Sequence, residues 1–168
     1  MDIKKALLAE HSKKQCDKIV KYIGNDAGKF SGLMKLFFEG EYRVVQRAAW
    51  PMCYCVASQP ELIRPYFSKI INNLDKKNLH NAVPRNSLRL LQGIKIPKRY
   101  HGKLMNICFA QIQSNETPVA IKAFSITILQ NLSEYYPDII SELKFLIKDR
   151  WERETPAFRS RAKNILKQ

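Results

Sequence analysis

The chain has 168 residues, of which 45% are hydrophobic, and its 29 Lys and Arg against 15 Asp and Glu give a formal net charge of +14. This composition excludes a disordered chain, and no apolar run approaches the roughly 20 residues that a membrane span needs. The length predicts a single domain over residues 1–168, and the polar start predicts no secretory signal and hence a cytoplasmic location. The excess of positive charge favours acidic partners.

The first predicted element is a helix over residues 2–23, which we expect to cap the domain as residues 1–24. Its apolar residues recur at helical spacing, and lysines occupy the opposite face, as is typical of an amphipathic surface helix. These lysines are Lys4, Lys5, Lys13, Lys14, Lys18 and Lys21. The following segment 24–31 is not a phosphate-binding loop, because three residues rather than four separate its glycines and Phe30 replaces the required Ser or Thr.

The rest of the chain repeats itself. Glu116-Thr117-Pro118 returns as Glu154-Thr155-Pro156, 38 residues later. Thr is a good N-cap and Pro fits the first helical position, so each tripeptide is predicted to open a helix. A basic residue also recurs, at intervals of 38, 37 and 39 residues, as Arg47, Arg85, Lys122 and Arg161. The repeat predicts four successive helix pairs, each with a first helix (A) and a second helix (B).

The predicted helices follow from apolar residues at a helical period and from Pro at helix starts. The A helices are expected near 27–38, 60–75, 98–114 and 138–152. The B helices are expected near 42–57, 82–93, 118–132 and 156–167. No stretch shows the alternation of apolar and polar residues that a half-buried strand would have, so the predicted fold class is all-α.

Helix pairs of this length resemble HEAT or armadillo-type repeats, and the resemblance covers residues 27–168. Its most specific features are the recurring basic position and the prolines, among which Pro65 is similar to the kinking proline of these repeats. Where HEAT repeats usually carry an acidic residue in the A–B turn, this sequence has Glu41, Glu116 and Glu154. The resemblance implies a right-handed α–α superhelix, a solenoid of about four HEAT-like pairs behind the N-terminal helix, stabilised by stacking.

In HEAT-like solenoids the B helices line the concave surface, and here their charge has one sign. The B segments contain no Asp or Glu but nine basic residues: Arg43, Arg47, Arg85, Arg89, Lys122, Arg159, Arg161, Lys163 and Lys167. The A segments carry both signs. We therefore predict a positive concave face that binds a partner, with stacking on aromatic residues such as Phe124. The predicted binding residues are Arg43, Arg47, Trp50, Tyr54, Arg85, Arg89, Lys122, Arg159 and Lys163.

Two interpretations remain open for the recurring basic residues Arg47, Arg85, Lys122 and Arg161. They either tie neighbouring repeats together or contact the partner. The basic residues off this ladder are expected to be solvated and to bind: Arg43, Arg89, Arg159 and Lys163.

The sequence predicts a non-enzymatic scaffold that binds an acidic protein segment. The alternative is nucleic-acid binding, because some alkylpurine DNA glycosylases are HEAT-like solenoids with a basic groove. Their site needs an Asp, and the B segments contain none. Segment 39–51 also resembles small bacterial HEAT-like proteins often labelled adenylosuccinate lyase. That enzyme's signature loop, with Ser and Met-Pro, is missing, and the chain is too short for its long helical bundle.

No cofactor, metal site or small-molecule substrate is predicted. Cys53 and Cys55 lie two apart in a helix and point about 200° apart, so they cannot hold one ion together. With Cys16 and Cys108 they are predicted to be buried free thiols. The three histidines form no ligand pattern: His11, His80 and His101.

Overall fold

A computed structural model describes residues 1–76 and 81–167, and His80 lies outside these residues. The described chain forms ten α-helices and three short 3₁₀ turns without a strand, which confirms the all-α prediction. The helices are α1 (Ile3–Ala9), α2 (Lys13–Ile23), α3 (Ala27–Glu39), α4 (Tyr42–Ser58), α5 (Phe67–Leu74), α6 (Ala82–Leu91), α7 (His101–Gln113), α8 (Val119–Leu132), α9 (Asp138–Arg150) and α10 (Pro156–Leu166). The 3₁₀ turns are Pro60–Tyr66, Lys98–Tyr100 and Trp151–Arg153. The chain divides into two compact units, Met1–Asn86 and Ser87–Gln168.

The first unit begins with two helices where one was predicted over residues 2–23. The backbone of Glu10 is extended, and the Ser12 hydroxyl accepts the N–H of Gln15 at 3.1 Å, which starts α2 afresh. The Gln15 side chain donates to the carbonyl of Ala6 at 2.7 Å and so joins the two helices. A Ser at the N-cap gives the backbone a local partner, which favours a new helix start over continuation.

The amphipathic character of this region is confirmed on the two helices. Leu7, Ile19 and Ile23 are buried, whereas the lysines are exposed. Leu8 departs from the pattern, since its side chain is 42% exposed. Helices α1 and α2 both pack against α4.

The turn between α3 and α4 requires glycine. A β-carbon at Gly40 would collide with the carbonyl oxygen of Leu36 and would lie 3.0 Å from the Val44 side chain. The backbone of α3 is the main obstacle, so the collision cannot be relieved by a side-chain rotation. The close packing of α3 on α4 therefore depends on Gly40.

The A helix predicted over residues 60–75 is split. Residues Pro60–Tyr66 form a 3₁₀ turn, and α5 begins only at Phe67. Pro65 lacks an N–H and cannot make the i→i−4 bond of an α-helix, which accounts for the tighter turn.

In the second unit, each helix packs on its neighbours in the order expected of stacked pairs. Helix α7 packs on α8, α8 on α9, and α10 on both α8 and α9. The core between them is apolar and includes Ile126, Leu143 and Phe158, each fully buried. Helix α10 buries its apolar side against the preceding pair, as the repeat interpretation predicted.

The two Glu-Thr-Pro tripeptides differ in detail. Thr155 accepts the N–H of Phe158 at 3.3 Å and Pro156 opens α10, as predicted. In the earlier copy Pro118 itself is the N-cap, with extended backbone, and α8 begins at Val119. The Thr117 hydroxyl instead donates to Gln111 at 2.9 Å, so the predicted capping role of Thr117 was wrong.

Candidate partner-binding surface

The B helices are α4, α6, α8 and α10, and none of them contains Asp or Glu. Their cations therefore find no carboxylate on their own helix. Such a cation is free only if the neighbouring helices and turns place no carbonyl or carboxylate oxygen within bonding distance of it. The predicted site residues differ in this respect.

Arg47 holds α1 against α4. Its Nη1 donates to the carbonyl oxygens of Leu7 and Leu8, each at 2.9 Å. These carbonyls belong to the last turn of α1 and have no partner within the helix. A cation at this end also interacts favourably with the helix dipole. The half-buried Arg47 thus has a structural role, one of the two interpretations left open by the sequence.

Replacing Arg47 by methionine is expected to lower the free energy of unfolding by about 1.5–3 kcal/mol, because a charge-assisted hydrogen bond is lost at a helix end. The matched substitution Arg43→Met removes an exposed cation and should change stability by no more than about 0.5 kcal/mol. Urea unfolding followed by far-UV circular dichroism measures both. Equal effects of the two substitutions would contradict the assigned role of Arg47.

The predicted stacking residues on α4 are already in contact with α2 and with the link between α1 and α2. Trp50 is half-buried and packs edge-on against His11, with ring centroids 5.4 Å apart. Tyr54 is 40% exposed, and the Lys13 ammonium lies 4.2 Å from its ring centroid. Phe124 on α8 is half-buried.

Lys122 is buried in an ion-pair network, contrary to its expected place on the binding face. Its Nζ lies 2.6 Å from Oε1 of Glu154, and the Arg150 Nε donates to the same oxygen at 2.9 Å. The three side chains are between 5% and 7% exposed. Arg150 also donates to the carbonyl of Gln113 and to the side-chain oxygen of Asn115. The network joins α8 and α9 to the residue that precedes the cap of α10.

The network perturbs the pKa of Glu154. Burial alone raises the pKa of this carboxyl, but hydrogen bonds from Lys122 and Arg150, together with their charges, outweigh burial and hold the pKa below its usual value. The carboxylate is therefore the favoured form. Arg150 was not predicted to be a functional residue because it lies on an A helix, although its i,i+4 spacing to Glu154 was an available signal.

Arg159 was expected to be solvated, and the structure corrects this. It is half-buried, its Nη2 donates to the carbonyl of Glu152 at 3.2 Å, and its guanidinium carbon lies 5.8 Å from the Trp151 ring centroid. The 3₁₀ turn that precedes α10 supplies both contacts. Arg161 is exposed, and its Nη1 donates to the Thr127 hydroxyl at 3.3 Å, which ties α10 to α8.

Among the predicted binding residues, the cations that are exposed and free are Arg43 in the first unit and Arg89 and Lys163 in the second. Each is exposed and has no hydrogen-bond or ion-pair partner among residues 1–76 and 81–167. Arg85 is half-buried. The structure thus separates cations that the sequence presents as one group.

The four cysteines are free, as predicted, and Cys16, Cys55 and Cys108 are buried while Cys53 is half-buried. Burial raises the pKa of Cys16 to about 11 and the pKa values of Cys55 and Cys108 to about 12. These three thiols are therefore poor nucleophiles at neutral pH.

In the part of the chain that the structure describes, no group of three or more His, Cys, Asp or Glu could hold a metal ion. Within that same part, every helix is too short or too polar to cross a membrane.

Successive helix pairs, joined in the second unit by Lys122 and Arg161, define an α-helical repeat protein. A family model described as HEAT repeat domain matches residues 3–168, so the chain belongs to this family. The match starts ahead of residue 27, where the repeats were predicted to begin, and it includes α1 and α2. Neither the curated proteins nor the solved structures gave a significant match. HEAT repeats commonly serve as scaffolds for protein interactions.

Proposed function

We propose that this protein is a non-enzymatic scaffold whose B helices bind an acidic segment of a partner protein. The proposed binding cations are Arg43 in the first unit and Arg89 and Lys163 in the second. One observation carries the proposal: the B helices contain cations but no carboxylate, and these three cations are exposed without a partner in the described structure. Membership of the HEAT repeat family supports the scaffold role.

Several basic residues that the sequence predicts to bind the partner are not among the proposed binding cations. Lys122 is paired with Glu154, Arg47 bonds to the end of α1, and Arg159 bonds to a backbone carbonyl. A cation already bonded within the protein would have to give up that contact in order to bind a partner. The exposed cations bind without this cost, and an acidic segment supplies the carboxylates that the B helices lack.

The family match runs through both compact units, which supports the further proposal that residues 1–168 act as one repeat domain. The four free cysteines favour a reducing compartment, so we place the protein in the cytoplasm.

The proposal predicts that the combined substitutions Arg43→Glu, Arg89→Glu and Lys163→Glu abolish binding to a fluorescently labelled oligoglutamate peptide, because attraction becomes repulsion. Each site is exposed, so stability should change by no more than about 0.5 kcal/mol per substitution. Fluorescence anisotropy measures binding, and thermal unfolding checks stability.

The matched control reverses three exposed lysines outside the B helices, Lys18, Lys35 and Lys148, with the same change in net charge. This control should retain most of the binding. Equal loss in both triple variants would show that net charge, rather than the B-helix surface, governs binding, and would reject the proposed site.

Nucleic-acid binding is the competing function, favoured by the net charge of +14. Each phosphate neutralised on duplex DNA contributes about 0.9 to the log–log slope of affinity against salt, so three cations would give a slope of about −2.7. Binding to labelled duplex DNA with this slope, combined with no binding to oligoglutamate, would replace the acidic-protein proposal.

A further inference from the structure

A cleft of about 390 Å³ opens in the second unit, and no residue of the ion-pair network lines it. One side is the loop between α6 and α7, which contributes Ile94 and Ile96. The other side is the end of α8, with Ile128 and Leu132, and the turn that follows it, with Tyr135. Its volume lies at the low end of the roughly 300–1,000 Å³ typical of ligand clefts, so it suits one large side chain better than an extended cofactor.

Hydrogen bonds hold the walls of the cleft in place. The Asn131 side chain donates to the carbonyl of Gln92 at 2.9 Å and fixes the start of the loop to α8. The Nε2 of His101 lies 2.8 Å from the carbonyl oxygen of Ile96, which can only accept, so Nε2 carries the proton and donates. Both ends of the loop are thereby anchored, and the cleft is formed before anything binds to it.

Tyr135 contributes an exposed aromatic ring to the wall of the cleft. It is 53% exposed and lies 5.2 Å from the His101 ring, centroid to centroid. An exposed aromatic ring beside isoleucine and leucine side chains suits another aromatic ring, which gains from apolar contact and from ring-to-ring geometry.

Positive charge predominates in the chain segment 89–101, which forms one side of the cleft. Arg89 is exposed in the last turn of α6, within three residues of Gln92, and Lys95 is an exposed residue of the wall. Lys98 and Arg99 are exposed in the 3₁₀ turn just before His101. The wall has one carboxylate, Glu134. Charge complementarity therefore favours an acidic chain across the rim.

We propose that this cleft receives a phenylalanine-like side chain of the acidic partner segment, while Arg89 and Lys95 contact carboxylates on either side of it. The inference rests on the proposed function and assigns it a specific anchor site. Acidic residues alone would give weak, salt-sensitive binding, and the buried aromatic side chain would supply affinity and register.

The test compares two labelled oligoglutamate peptides, one with a single central phenylalanine and one with alanine in its place. Burial of the ring is expected to make the phenylalanine peptide bind the wild-type protein about tenfold more tightly or better. Ile94→Asp places a repelling carboxylate at the half-buried wall and should remove this preference. Tyr135→Ser removes an exposed ring and should do the same, which keeps the test valid if one variant fails to fold.

The matched control is Phe145→Asp on α9, which introduces the same charge in place of an apolar side chain that is 77% exposed and outside the cleft. This variant should retain the preference for phenylalanine. A wild-type protein without the preference, or a preference that survives both cleft substitutions, would overturn the anchor site. If the alanine peptide still binds in that case, the proposed function stands. If only the phenylalanine peptide binds, and the combined substitutions Arg43→Glu, Arg89→Glu and Lys163→Glu do not weaken its binding, the proposed function fails. The cleft is then supported as a binding site in its own right.

Discussion

Replacing Glu154 by glutamine is expected to lower the free energy of unfolding by about 3–5 kcal/mol. Glutamine has nearly the same shape, but the substitution removes the negative charge that Lys122 and Arg150 share at 2.6 and 2.9 Å. Two buried cations would then remain without a counterion. Desolvated charges of this kind are among the most destabilising features a folded protein can contain. Thermal and urea unfolding of the two proteins measure the difference.

The chain supplies a matched control in Glu116, which occupies the same place in the other Glu-Thr-Pro tripeptide but is exposed. Glu116→Gln should change stability by no more than about 0.5 kcal/mol. Similar effects at the two positions would show that the buried network does not stabilise the fold.

The lowered pKa of Glu154 also has a consequence for acid stability. A carboxyl with a depressed folded-state pKa contributes stability above its unfolded value of about 4.3, and the contribution is lost as the pH falls through the folded-state pKa. The stability difference between the wild type and Glu154→Gln should therefore be largest near neutral pH and shrink in acid.

Replacing Phe158 by alanine is expected to lower the free energy of unfolding by about 3–5 kcal/mol, because the substitution leaves a cavity in a packed core. Phe158 is fully buried in α10, which packs on α8 and α9. The prediction tests whether the last helix of the chain contributes to the stability of the pair before it, as stacked repeats require.

The control is Phe145, which lies on α9 with its side chain 77% exposed. Phe145→Ala removes the same atoms from the surface and should change stability by no more than about 0.5 kcal/mol. If the two substitutions have equal effects on the urea midpoint, α10 does not pack as the structure describes.

The amino-acid sequence alone determined the helical class and the succession of helix pairs. Apolar residues at a helical period and an N-cap such as Thr155 act over a few residues, so they can be recognised without the fold. Local signals in the sequence also account for two differences from the predicted helices, the break between α1 and α2 and the split of the helix predicted over residues 60–75. Ser12, followed by Gln15 three residues later, is a capping pattern, and Pro65 prevents a continuous helix.

Only the tertiary structure decided which cations are free. Arg43 and Arg47 stand one helical turn apart on the same apolar-rich helix, and nothing local distinguishes them. Arg47 donates a hydrogen bond to the carbonyl of Leu7, 40 residues away, and Lys122 pairs with Glu154, 32 residues away. The cleft likewise joins the loop after α6 to the end of α8. Hydrogen bonds and ion pairs act over a few ångströms in space, and the fold, rather than any local pattern, brings these distant residues within that range.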